Sequence, residues 1–155
     1  MTDLADLART TLAKNRFMVL GTVDPSGRPR VSPVWFSLVN HRTVYWLSSP
    51  DAHHSQNIEL RPDVSIVVFD SSAAPHTGQA VYLEATAERV PSAELEAACA
   101  EAFRDVDESL SHTAESLQWE PFVLYRAHIT AAEVHVRGRD FGDGTGTDRR
   151  VPIQF

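Results

Sequence analysis

The residues best able to do chemistry flank a proline. Ser48 and Ser49 close a strand-like run just before Pro50, and His53 and His54 fall in the first turn of a helix predicted between Pro50 and Pro62. A helix start leaves backbone N–H groups without partners and carries partial positive charge, so a strand end running into one can hold an anion such as phosphate. Imidazoles titrate near neutrality and can add to that attraction. Serines in such a place also serve as plain caps that satisfy backbone donors. Arg28 and Arg30 supply permanent positive charge on an earlier strand.

Other chemistries are poorly served. Cys99 is the single cysteine, which excludes an internal disulfide and a one-chain cysteine zinc cluster, and its place on an apolar helix face reads as a core thiol. His128 and His135 are seven apart, which in a regular strand sends them to opposite faces, so no metal site is expected from the pair. The stretch from Asp140 to Asp148 lacks the spacing and final glutamate of a calcium loop. A Gly-rich phosphate loop is missing, and no Ser-His-Asp or Cys-His set can be assembled from spacing alone.

The elements that must position these groups are mostly strands. Leu4, Leu7, Ala8, Thr11 and Leu12 share one face of an N-terminal helix. Phe17 to Val23 reads as a strand, Asp24-Pro25-Ser26-Gly27 as a tight turn, and Arg30 to Val39 as the second strand. Asn40-His41-Arg42 turns the chain into Thr43 to Ser48, giving a three-stranded meander. After the polar helix, Val64 to Phe69 and Ala80 to Val90 are strands separated by a Ser-, Ala-, Pro- and Gly-rich loop. Ser92 is a plausible cap for a helix whose stripe is Leu95, Ala98, Cys99, Ala102, Phe103 and Val106. Asp107 to Glu120 reads as loop, Phe122 to Tyr125 and Ile129 to Val136 as one or two closing strands, and periodicity fades after Arg137.

At 155 residues, 43% hydrophobic and 23% charged, the chain has the size and composition of one folded domain. A net charge of −7 argues against nucleic acid as the partner, so an anionic ligand must meet a local set of donors. No apolar run approaches the roughly 20 residues of a membrane span. Asp3 and Asp6 stand where a signal peptide carries positive charge, so a cytoplasmic protein without a membrane partner is expected.

The run from Phe17 to Phe36, FMVLGTVDPSGRPRVSPVWF, resembles the opening hairpin of the pyridoxamine 5′-phosphate oxidase-like split barrels. Val44 to Ser48, the polar helix, Arg61-Pro62 and the strand Val64 to Phe69 are similar to the next family segment in order and spacing. A weaker echo is VYLEATAE, Val81 to Glu88, with Ala85 at the place of a family glycine.

The resemblance implies a mainly β fold with helices, a six- to seven-stranded antiparallel split barrel over residues 1–137, and a tail at 138–155 that is mobile or touches a dimer partner. It implies FMN, or the deazaflavin F420, held between the subunits of a homodimer. The phosphate is expected at Ser48, Ser49, His53 and His54, with Arg30 matching a phosphate-binding arginine. Main-chain groups at Pro33, Val34 and Trp35 are expected to face the flavin ring, with Asn57 and Gln79 as further contacts. His53 and His54 replace a frequent Arg-Lys pair. The family's terminal Trp-Gln and Arg-Leu run is absent from Glu133 to Phe155, so oxidation of pyridoxamine phosphate itself is not expected. The implied activity is that of an FMN-dependent oxidoreductase on a small molecule. An F420-dependent reductase, a non-catalytic flavin or haem carrier, and a cofactor-free module on the same fold remain open.

Overall fold

The computed structural model describes residues 3–140 and 146–155. β1 (Phe17–Val23) buries Met18, Leu20 and Thr22 and pairs antiparallel with β2 (Pro29–Trp35). The turn between them is organised by Asp24, whose carboxylate accepts from the backbone N–H groups of Ser26 and Arg28, while Gly27 adopts φ +87°. β3 (Ser37–Val39) and β4 (Thr43–Ser48) form a second hairpin, with Asn40 and His41 both at φ 52°. Two left-handed central residues match the twist of the flanking strands.

The single strand expected from Arg30 to Val39 is in fact broken at Phe36. That residue turns its ring into the core at 7% exposure, and its N–H donates to the carbonyl of Arg16 in the last rung of the β1–β2 register, after which the chain leaves β1. The expected meander is therefore corrected. The sheet runs β2-β1-β5-β6-β7-β4-β3, so the two halves of one run of chain stand at its two ends and curl it into a split barrel. β5 spans Asp63–Phe69, β6 Ala80–Arg89, and the closing strand is one element, β7 (Val123–Val136).

The tail is also corrected in part. β8 (Arg149–Ile153) pairs with Ala132 to Val136, extending the edge that β4 occupies along Val123 to His128, and brings the described sheet to eight strands. A bulge divides the two halves of β7: Glu84 pairs with Ala131 and Ala85 with Ile129, leaving Thr130 to donate through its hydroxyl to the carbonyl of Glu84. One extra residue inverts the alternation. Tyr125 and Ala127 are buried before it, and Ala132 and Val134 after it. His128 and His135 thus lie on the same, outer face, contrary to the regular-strand expectation. His135 there pairs with Asp148 at 3.0 Å.

Helices plug the barrel. α1 (Leu4–Lys14), capped by Asp3, lays Ala8, Thr11 and Leu12 against β5, β6 and β7. α2 (His53–Leu60) buries Ser55, Asn57 and Ile58 against β1 and β6. Outside the barrel a second core joins Tyr45 and Leu124 of the sheet to Ala98, Cys99 and Phe103 of α3 (Leu95–Ala102) and Leu117 of α4 (Ala114–Leu117). Ser92 does not cap α3, because a 3₁₀ turn at Ser92–Glu94 runs directly into it. The segment read as loop from Asp107 to Glu120 contains α4, whose Thr113 and Ser116 form a reciprocal capping box. Arg126 binds Glu88 at 2.7 Å and also pairs with Glu94, tying the sheet to the start of this outer layer.

α2 is pinned by one buried polar contact, Asn57 Nδ2 donating to Thr22 Oγ1 at 3.0 Å. Replacing Asn57 with Ala leaves that hydroxyl buried without its donor and should cost about 1–3 kcal/mol in urea denaturation. The double change Asn57→Leu with Thr22→Val removes both polar groups, and its cost should be well below the sum of the two single changes.

Candidate functional site

Where β4 ends and α2 begins, Trp35, Leu47, Ser48 and Ser49 line one side of a cavity of about 490 Å³. The other side is built by Ser109, Leu110, His112, Pro121 and Phe122, from the segment between α3 and β7. Strand alternation explains Trp35: Val34 and Phe36 face the barrel core, so the half-buried Trp35 ring between them packs outward with Leu47 and Phe122 on the outer core.

The polar end rests on α2. Its N-cap is Ala52, which has no side chain able to accept from the first turn. Ser49 Oγ accepts from the N–H of Asp51 at 3.2 Å, and Ser48 Oγ lies 2.7 Å from His54 Nε2. Burial, and then the charge of neighbouring His53, holds the His54 imidazole below its ordinary value of 6.5. His53 itself is exposed.

The structure thus gathers Trp35, Ser48 and Ser49 around one cavity and joins His54 to it through Ser48. It distributes the other expected contacts elsewhere. Val34 faces the barrel core, and Asn57 is committed to Thr22. Pro33 is exposed on β2. Arg30 stands at the turn end of β2, its guanidinium 3.1 Å from the Asp24 carboxylate. Hydrogen bonds from Ser26, Arg28 and Arg30 hold that carboxyl down at about 2. Gln79 lines a different cavity, about 750 Å³, with Tyr82, His135, Arg137 and Arg139. Two further troughs, about 490 and 530 Å³, run over the outer face of β1, β5 and β6, where Val31 is 73% exposed and Arg150 lies 3.7 Å over the Tyr82 ring.

Sequence reading missed the far wall of the cavity, Leu110, His112 and Phe122. The signal available was Thr113-Ala114-Glu115-Ser116, a capping pattern with serine in the place of the usual glutamate.

An antiparallel sheet curled into a barrel, with helices packed on it and a cavity near the junction of a strand end and a helix start, defines the split-barrel class. The sequence matches the pyridoxamine 5′-phosphate oxidase family model over residues 4–135, and the chain belongs to that family. No curated protein matches it. Among solved structures, it resembles a haem-binding protein from Mycobacterium smegmatis, with TM-score 0.70 and 23% identity over 98% of this chain and 59% of that one. It also resembles HutZ, a haem storage protein from Vibrio cholerae, with TM-score 0.65 and 26% identity over 83% of this chain and 91% of that one. A third is an FAD-binding protein from Mesorhizobium loti, with TM-score 0.64 and 19% identity over 84% and 92% of the respective chains. The chain therefore spans about three-fifths of the mycobacterial protein. No helix among the described residues is long and apolar enough to cross a membrane.

The depressed His54 value has a direct consequence for stability. As pH falls below about 6.5 the unfolded chain takes up this proton before the folded one does, so stability is full above that value and declines below it. Urea midpoints measured from pH 7.5 to 5 should fall more steeply for the wild type than for His54→Gln.

Proposed function

We propose that this protein is a flavin-nucleotide-binding oxidoreductase, with FMN as its cofactor and a homodimer as its working form. The observation that carries the reading is an apolar cavity whose polar wall is Ser48 and Ser49, three residues before the uncapped N-cap of α2, on a barrel of this family. Its size, about 490 Å³, is within the usual range for cofactor sites, roughly 300–1,000 Å³.

The residues present fit such a group. Ser48, Ser49, His54 and the first-turn N–H groups of α2 hold the phosphate, with His53 adding exposed charge. Trp35 and the main chain at Pro33 and Val34 border the ring. Arg30 joins the phosphate only by releasing Asp24, and Gln79 contributes from a second cavity or from the partner copy. A bound flavin supplies hydride and electron transfer, while the protein orients it and controls access to it. The second subunit covers the outer face on which Phe17, Val31 and Phe69 are exposed, at 61%, 73% and 44%.

F420 on the same site requires more room and basic charge for its longer anionic tail. A haem carrier is the second reading, favoured by the haem-binding and haem-storage names of two structural relatives. Addition of FMN, F420 or haemin to the purified protein separates the three by absorbance: paired flavin bands, one deazaflavin band, or a Soret band. Retained FMN with two chains by sedimentation is the expected result. A haemin complex with no flavin affinity overturns it.

His54 connects the phosphate to pH. A phosphate dianion beside the imidazole favours its protonated form, opposing the burial that lowers it in the free protein. Calorimetric titration of FMN near pH 7, in buffers of different ionisation enthalpy, should show greater proton uptake by the wild type than by His54→Gln. Equal uptake removes His54 from the phosphate site.

A further inference from the structure

The segment between α3 and β7 supplies a wall with very little polar character. Leu110, Pro121 and Phe122 are apolar, and the Ser109 hydroxyl donates to Asp107 Oδ1 at 2.6 Å. His112 is the exception, and the one titratable side chain among the lining residues. Its ring is held edge-on between two others, with centroids 5.8 Å from Phe103 and 5.4 Å from Phe122 and interplanar angles of 64° and 83°. Nδ1 lies 3.5 Å from Ser116 Oγ, itself fixed by the capping box of α4. Nε2 has no partner among the described residues. The ring is half-buried while Nε2 still reaches solvent, so a ligand entering the cavity can take over the hydrogen bond that water makes there.

We propose that His112 is a ligand-contacting residue that sets specificity, hydrogen-bonding through Nε2 to the heteroatom-bearing edge of an aromatic ring system in the cavity. The proposal rests on the flavin reading and extends it. It makes the site selective for rings edged with carbonyl groups and ring nitrogens, as isoalloxazine is, over all-carbon aromatics. The geometry supporting it is local: two aromatic edges and one hydroxyl restrict the ring, so little conformational freedom is lost when a ligand binds.

The test compares wild type, His112→Phe and His112→Gln, titrated with FMN, riboflavin and lumiflavin by fluorescence quenching. The phenylalanine keeps the aromatic packing and loses the nitrogen, and should weaken all three ligands by about tenfold, the effect of one hydrogen bond. The same factor for riboflavin, which lacks the phosphate, excludes the phosphate as the contact, and the same factor for lumiflavin, which lacks the ribityl chain as well, places it at the ring. His112→Gln retains hydrogen-bonding capacity and should stay within about threefold, with a displaced visible maximum for the bound flavin. If His112→Phe fails to fold, the glutamine variant decides: a displaced maximum supports the contact, and a spectrum and affinity identical to wild type overturn it. Affinities within twofold of wild type for both variants, or a loss that lumiflavin does not share, likewise overturn the role of His112 and leave the flavin reading standing. A wild type that binds none of the flavins overturns that reading and this inference with it.

Discussion

The structure depends on one interruption in a strand. Phe36 makes the last rung against β1 through its N–H to Arg16 and sends its ring into the barrel; beyond it the chain leaves β1, so Pro29–Trp35 and Ser37–Val39 hydrogen-bond at opposite ends of the same sheet. A continuous strand over that span would pair along one neighbour and leave the sheet open, with two long edges exposed. Alternation through the end of β2 sets the inward Val34 and Phe36 against the outward Trp35. The outward ring packs with Leu47 near the end of β4, so the apolar side of the cavity begins where the barrel closes.

α2 connects that closure to the polar end of the cavity. Its inner face is fixed by Ile58 and by Asn57 on Thr22, so the position of its first turn follows from packing inside the barrel. His54 is the compromise at this junction. It is buried enough to be driven toward its neutral form, yet it sits against Ser48 where an anionic ligand would reverse that preference. A lysine there would carry permanent charge into the same half-buried place and pay a larger desolvation cost when the ligand is absent.

Elements governed by local pattern were legible in the sequence. Phe17–Val23 and Thr43–Ser48 occupy the strands expected for them, and Asp24 to Gly27 makes the expected turn, because alternation and turn residues act over a few positions. The failures have long-range causes. The break at Phe36 comes from closure of the whole sheet. The parity change at Thr130 comes from a bulge opposite Glu84, and β8 exists only because β7 offers an edge beyond the end of β4. Ser48, Ser49 and Trp35 fall around one cavity because they flank elements that local pattern already defines. Asn57 turns its amide to Thr22 in the barrel's interior, a contact across 35 residues of chain that local pattern does not carry. His112 was invisible, as its relation to Ser48 is made by tertiary packing across some sixty residues of chain.

An acidic protein that binds an anion must keep its own carboxylates away from it, and their placement separates the cavities. Glu88 and Glu94 are held by Arg126, Asp24 faces Arg30, and Asp140 faces Arg137. The outer-face troughs retain Glu84 with Glu133 in one and Glu84 with Asp63 in another, and the cavity at Gln79 includes Asp70 and Asp148. The cavity at Ser48 and Ser49 is lined by no carboxylate. Two unit charges about 4 Å apart repel by roughly 4 kcal/mol at the dielectric typical near a protein surface, which outweighs the typical gain from one hydrogen bond. On the flavin reading, that difference favours the cavity at Ser48 and Ser49 for a phosphate-bearing ligand even though the Gln79 cavity is larger and has two arginines in its wall.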